Sequence, residues 1–372
     1  MKTVALALSM MAFGLVPGSA RAAEPVPMTA ERWTTSGEAE FVAYKGYDAL
    51  QLKNGNAEAV LNSVTFGNGT IEFDVELTAA MGAGIGFRRL DENNYEDFYF
   101  RPRPNCAEAY DCTQYAPKTH GVLLWDFFPQ YQAPAVLRDG VWNHVKLIVS
   151  GQRMNVFVND KLALKVGRLE GDALQGGVLL QGPGTFANLS MTPAAVEGLA
   201  AEPENDATAS DPHFVRNWQL SPFSVLAADR EPSFADLPAP SAGWTPLAAE
   251  RGGLMNITRR HGWAGRPPNR KLAWLKTTIT SKQAQTKSVR MGWCREVWVY
   301  ANGSLAYADK NPYQPPEARK APNGRCSLEN GAFQLPLKAG ANEVAVAVAD
   351  NFYGWGLIMR LDDIKGVRFA RP

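Results

Sequence analysis

The stretch "VWNHVKLIVSGQRMNVFVNDKLALKV", residues 141–166, strongly restricts what this chain can fold into. Val145, Leu147 and Val149, then Met154, Val156 and Val158, then Leu162, Leu164 and Val166 recur at every second position, with Ser-Gly and Asn-Asp between the runs. Strand side chains alternate between faces, and Asn, Asp and Gly tolerate turn backbone, so the pattern reads as strand, turn, strand, turn, strand. "GTIEFDVEL" (69–77) repeats it, with Ile71, Phe73, Val75 and Leu77 on one face and Glu72, Asp74 and Glu76 on the other. "GGVLLQGPGTFANLSM" (176–191) adds two further strands. Glycine and proline are plentiful, at 33 and 25 residues, and long heptads are missing, so the fold class is all-β.

Two blocks of strands are separated by "TPAAVEGLAAEPENDATASDP", which has little periodicity and the composition of a linker. The second block carries strands in "KLAWLKTTITS" (271–281), "EVWVYANGSLAY" (296–307), "GAFQLPLKAGANEVAVAVAD" (331–350) and "GWGLIMRLDD" (354–363). The expected organisation is two β-sandwich, jelly-roll-like domains in series, over residues 25–192 and 213–372, joined by a linker at 193–212. Before them, residues 1–22 read as a cleaved signal peptide. Lys2 is its positive end, Val4 to Val16 its apolar run and Ala20-Arg21-Ala22 its cleavage pattern. That run is shorter than the ~20 residues of a membrane-spanning helix, and no later stretch is long and apolar enough to span. The mature chain is expected to be secreted or periplasmic.

With 38 basic against 37 acidic residues, and no basic block, the chain lacks the electrostatic footprint of a nucleic-acid binder. Four cysteines in an exported protein suggest disulfides, and the pairs expected are Cys106–Cys112 and Cys294–Cys326, one in each block. The histidines, His120, His144, His213 and His261, are scattered, and no C-x-x-C occurs, which argues against zinc.

The first block resembles the concanavalin A-like lectin/glucanase and laminin-G-like sandwiches. The features are "GTIEFDVEL", "GIGFRRLDENNYEDFYFRPRP", "GVWNHVKLIVSGQRMNVFVND" and "GGVLLQGPGTFANLSM". Their order is similar to that of secreted keto-disaccharide hydrolase domains. The second block resembles a galactose-binding-like jelly roll through "NWQLSPF", "VWVYANGSLAY", "LPLKAGANEVAVAVAD" and "GWGLIMRL", with Asn302-Gly303 as a hairpin turn. Both folds host enzymes, lectins and adhesion modules, so neither resemblance fixes an activity.

Three clusters carry candidate chemistry. The E-x-D-x-E strand of Glu72, Asp74 and Glu76 resembles the active strand of family 16 glycoside hydrolases. Alternation explains it equally as the polar face of a half-buried strand. The segment "NNYEDFYFRPRPNCAEAYDCTQY" (93–115) is the better binding candidate. As a strand it places Asp97, Tyr99 and Arg101 on one face and Glu96, Phe98 and Phe100 on the other, followed by a loop stapled by Cys106 and Cys112. Rings stack on sugar faces and Arg/Asp pairs bond hydroxyls, so Tyr95, Asp97, Tyr99, Arg101 and Tyr115 are candidate binding residues. Arg88 and Trp125 would extend the surface, and Tyr353 and Trp355 of "NFYGWG" would line a site in the second block. Asp91, Asn93 and Asn94 are candidate calcium ligands in a turn that Asp and Asn favour anyway. "GAGIG" (82–86) lacks the spacing and the helix of a dinucleotide fingerprint and reads as a strand whose glycines allow close approach.

The expected function is non-catalytic recognition of a carbohydrate or glycoconjugate, with no cofactor beyond calcium. The first alternative is a glycoside or keto-disaccharide hydrolase using acids among Glu72, Asp74, Glu76, Glu96 and Asp97. The second is a structural or adhesion protein that binds other proteins.

Overall fold

The computed structural model describes residues 22–78, 81–263, 268–314 and 320–370. The signal-peptide reading lies almost wholly outside the described residues. Within them the chain is nearly all β, with four antiparallel sheets arranged as two sandwiches.

In the first domain, one sheet runs in the order Lys161–Val166, Arg153–Val158, Asn143–Ser150, Gly69–Leu77, Gly184–Pro193, Tyr47–Leu52, Ala39–Tyr44. The facing sheet runs Val122–Leu123, Thr113–Thr119, Asn94–Phe100, Gly84–Asp91, Gly177–Gln181, Glu58–Leu61, Trp33–Ser36. Each contributes its alternate residues to one core: Ile71, Phe73 and Val75 from the first sheet meet Phe98, Phe100 and Leu180 from the second. Burying these apolar faces drives the two sheets together.

The second domain pairs a large sheet, built on Arg270–Ser281, Gly340–Asp350 and Arg295–Ala301, with a four-stranded one built on Gln285–Trp293 and Gly356–Leu361. Val297 and Val299 point into its core, whereas Trp298 and Tyr300 pack on the outer face with Trp274, against Phe234, Leu237 and Trp244. Asn302 and Gly303 both take positive φ, 50° and 85°, as a two-residue hairpin turn in this twist requires. Between the domains, the segment after Pro193 is irregular and lies along the first sandwich, with Gln152 N–H donating to Ala201 O and Glu204 N–H to Gly167 O.

The domains are joined through buried charge. Asp126 of the first domain accepts from Arg295 of the second at 3.0 Å, and both side chains are buried. Arg325, fully buried, donates to Asp111 at 3.2 Å and to Gln132 at 2.7 Å, with its guanidinium over the Trp125 ring. Leu254, Cys294 and Cys326 of the second domain join the first domain's apolar cluster.

Cys106 and Cys112 are bonded, with Cα atoms 5.4 Å apart. The expected Cys294–Cys326 bond is not formed. Both are buried thiols, and contact with Cys326 together with burial holds the Cys294 thiol far above its ordinary range. Shielded from solvent in the apolar seam between the domains, the two act as packing residues.

Removing one partner of a buried pair strands the other charge. Asp126→Ala is therefore expected to cost about 3–5 kcal/mol, read as a lower urea midpoint or as separate unfolding of the two domains. An unchanged, single transition would show that this pair does not hold the domains together.

Candidate functional site

The strand Asn94–Phe100 sits inside the second sheet of the first domain, between Gly84–Asp91 and Thr113–Thr119. Phe98 and Phe100 turn inward to the core, so Asp97 and Tyr99 turn outward. Across the ladder, Asp97 pairs with Gly86 and Ala116, and Tyr99 with Gly84 and Gln114. The two glycines let neighbouring side chains lie close on the sheet, Tyr99 over Gly84 and Leu179 and Tyr95 over Gly86. A Cβ on Gly86 would stand 2.2 Å from Leu179 and 2.9 Å from the Tyr95 ring, so only glycine fits beneath that ring. Arg101, one residue beyond the strand, extends the same row.

The second domain covers one side of this floor. A cavity of about 300 Å³ is lined by Asp97, Tyr99, Arg101 and Gln181 below and by Trp125, Tyr313, Phe352 and Tyr353 at the wall. Trp125 makes edge contacts with Tyr313 and Tyr353, at centroid separations of 5.2 and 5.6 Å, and Phe352 meets Tyr353 at 4.6 Å. The ring-bearing loop is held at both ends by buried acids. Asp350 accepts from Phe352 N–H at 2.7 Å, and Asp126 accepts from Gly354 N–H at 3.0 Å. Arg295 lies between, 4.7 Å from the Phe352 ring centroid. Arg101 bridges the domains, donating to Asp111 at 3.0 Å and to the Tyr313 hydroxyl at 2.8 Å.

Asp97 is the acid on the floor of this cavity. Its residue is only 3 % accessible, yet Oδ1 has no hydrogen-bond partner. Burial pushes its carboxyl up to about 8, against the downward pull of the Lys118 ammonium and the Gln181 amide, with Glu58 adding repulsion. Gln181 in turn donates to the Tyr95 hydroxyl at 2.9 Å.

The other residues singled out in the sequence lie elsewhere. Arg88 is buried and staples loops, donating to Gly67 O at 2.9 Å and Gly151 O at 2.6 Å. Tyr115 points into the sandwich, donating to Glu96 at 2.7 Å and accepting from Glu170 N–H. Trp355 is in the second domain's core. These three are therefore corrected from a sugar surface to internal structure, and Glu96, an acid of the hydrolase alternative, is likewise internal. Glu72, Asp74 and Glu76 occupy the outward face of the opposite sheet, away from the cavity. There Asp74 accepts from Asn188 at 2.7 Å and pairs with His144 at 2.9 Å, while Glu76 pairs with Lys45 at 2.5 Å. Burial acts to raise Asp74, but the His144 and Asn188 bonds outweigh it and hold the carboxyl below its ordinary range. Asp91 accepts from Asn93 N–H at 2.8 Å and so closes its own turn, while Asn94 Oδ1 accepts from His120 N–H and ties it to the neighbouring turn.

Sequence reasoning missed Gln181, Tyr313 and Phe352. Phe352 adjoins Tyr353 in "NFYGWG" and could have been read with it. Tyr313 stands in "NPYQPPE", where nothing signals a ring aimed at another domain. Other cavities are less suggestive. One of about 290 Å³ lies on the second domain beside Trp218, Pro246 and Lys276. One of about 530 Å³ between the domains is lined by charges that satisfy one another, Arg259 bonding Asp172 at 2.8 Å and Glu250 at 2.7 Å.

Residues 28–191 match the 3-keto-alpha-glucoside-1,2-lyase-like domain. The match covers the first sandwich, where the resemblance to keto-disaccharide hydrolases and to the concanavalin A-like fold was read from the sequence. Among solved structures, carbohydrate binding module CBM66 from Bacillus subtilis is 14% identical, over 42% of this chain and 93% of that one, with a TM-score of 0.33. A putative glycosyl hydrolase from Parabacteroides distasonis is 15% identical, over 46% and 99%, with a TM-score of 0.34. A galectin-like protein of unknown function from Bacillus subtilis is 14% identical, over 46% and 96%, with a TM-score of 0.35. No curated protein matches.

The raised Asp97 gives a stability test. Its folded-state value lies above its unfolded one, so the stability it confers is full below about 4 and is lost as pH rises towards about 8. Asp97→Asn removes this dependence. The variant is expected to melt higher than the native protein at pH 9, with the gap closing towards pH 4 in thermal scans. A gap independent of pH would mean that Asp97 titrates normally.

Proposed function

We propose that the chain binds a carbohydrate in the cleft between its two domains. The observation that carries this reading is the convergence of Trp125, Tyr313, Phe352 and Tyr353, drawn from both domains, above a floor with polar groups. Sugar rings have apolar faces and hydroxyl edges, and a partly apolar cavity of about 300 Å³ with a few convergent polar groups suits one. The name of the matching family points to α-glucosides as the class. Export goes with this reading, since the Cys106–Cys112 bond is chemistry of an oxidising compartment. Among the described residues, no helix is long and apolar enough to cross a membrane.

The test is titration with methyl α-glucoside and with an α-linked disaccharide, followed by NMR or calorimetry. Trp125→Ala and Tyr353→Ala are each expected to weaken binding roughly tenfold, the ~1.4 kcal/mol of one lost apolar contact face. Unaltered binding in both variants would move the sugar elsewhere, and the ring and acid surface of Tyr44, Trp142 and Glu76 would be tested next.

A second reading is favoured by the raised Asp97 carboxyl on the cavity floor: the bound sugar loses a proton. Glycoside hydrolysis ordinarily uses two carboxyls flanking the bond, and Asp97 is the one acid among the described residues lining the cavity. A single base suffices for elimination from a 3-keto-α-glucoside. Asp97 takes the proton from C2, the C–H electron pair becomes the C1=C2 bond, and the C1–O bond breaks. The departing oxygen recovers the proton from Asp97, so the products are an unsaturated keto-sugar and an alcohol. A carboxyl near 8 is a base matched to mildly alkaline conditions. Turnover is expected to rise with pH through about 8 and to vanish in Asp97→Asn, with binding of methyl α-glucoside kept within a few-fold. Persisting turnover in Asp97→Asn would exclude this role.

A further inference from the structure

Resting on the elimination reading, we infer that Arg101 is the cation that holds the negative charge formed on the sugar's carbonyl oxygen. Asp111, which is buried, receives three guanidinium groups: Arg101 at 3.0 Å, Arg103 at 2.7 Å and Arg325 at 3.2 Å. The Arg103 side chain is more than a third exposed, so water screens its charge, and Asp126 also lies close enough to Arg325 to interact with it. Arg325 is consumed by the protein, donating also to Gln132 and to Asn323 O. Arg103 is not among the cavity's lining residues. Arg101 is, and its guanidinium is fixed from both sides by Asp111 and by the Tyr313 hydroxyl.

A guanidinium fixed in advance at the edge of a dry, ring-lined cavity needs no rearrangement when charge appears, the condition under which a cation lowers a barrier most. Asp97 and Arg101 lie on one strand row, two positions either side of Tyr99, so their Cα atoms are ~13 Å apart. That span accommodates a sugar ring between a carboxyl and a long side chain leaning inward. The balanced step is as follows. The C2–H pair moves into the C2–C3 bond as Asp97 takes the proton, and the carbonyl π pair moves onto its oxygen, which becomes the anion facing Arg101. Its collapse restores C=O, forms C1=C2 and expels the glycosidic oxygen, which takes the proton back from Asp97.

The experiment follows exchange of the C2 hydrogen of a 3-keto-α-glucoside with D₂O by NMR, which reports formation of the anion whether or not the bond breaks. Methyl α-glucoside binding is measured in parallel. R101Q is expected to slow exchange by about 10²–10³-fold, the usual loss for one such donor, a far larger loss than it causes in methyl α-glucoside binding. R101K or added guanidinium should recover part of the rate. R103Q, which removes another partner of the same carboxylate outside the cavity, should exchange like the native protein. Native-like exchange in R101Q, or equal losses in R101Q and R103Q, would overturn the role of Arg101 and leave the elimination reading standing. No exchange in the native protein would bring down the elimination reading, and this inference with it.

Discussion

The buried pair of Asp126 and Arg295 is the contact on which the candidate site depends. Asp126 does two things at once. It neutralises a guanidinium from the other domain, and it accepts from the Gly354 backbone at the end of the loop that carries Phe352 and Tyr353. Arg295 reaches Asp350 at the loop's other end, at 4.0 Å, and lies over the Phe352 ring. Burial raises Asp126 to about 6 and Asp350 well beyond its ordinary range, and Arg295 opposes both shifts. Such a cluster is a poor source of stability, because desolvating the ions offsets most of their attraction. Its contribution is geometric: it permits one docking of the domains, and that docking aims the rings.

A sandwich by itself offers the shallow outer face of a sheet. On the first domain Gly84 and Gly86 let Tyr99, Tyr95 and Leu179 lie close against this face beside Asp97. A wall is still required, and the second sandwich supplies it. This explains why a jelly-roll-like domain, whose own core is complete with Trp293, Trp355 and the valines of Gly340–Asp350, is locked so firmly onto its neighbour.

The fold was legible in the sequence because it rests on a local rule. Period-two alternation decides which side chains a strand buries, and "EDFYFRPR" accordingly splits into Phe98 and Phe100 inside and Asp97, Tyr99 and Arg101 outside. The errors came where residue type was read without its neighbours. Tyr115 and Arg88 carry sugar-binding chemistry, but Tyr115 lies on the inward side of its strand, and Arg88 turns away at φ 50° to bond loop carbonyls. Trp355 lies two residues from Tyr353 and is drawn into the core. Tyr313 could not be found at all, since its role depends on docking between domains, a long-range relation that no local spacing encodes. Cys294 and Cys326 show the same limit: exported context argued for a bond, and their packing as buried thiols is decided by the domain seam.

Asp97 shows why the candidate site is more than a fold by-product. Within one strand, Glu96 and Asp97 are both buried and both raised, to about 7 and about 8. Glu96 has the bond from the Tyr115 hydroxyl and Arg88 nearby to compensate, and it serves the interior. Each keeps one oxygen without a partner, but Asp97 lines the cavity, where an amide would serve the fold better. A group that costs stability where it stands, and that lines a ring-walled space large enough for a sugar, is explained by what enters that space.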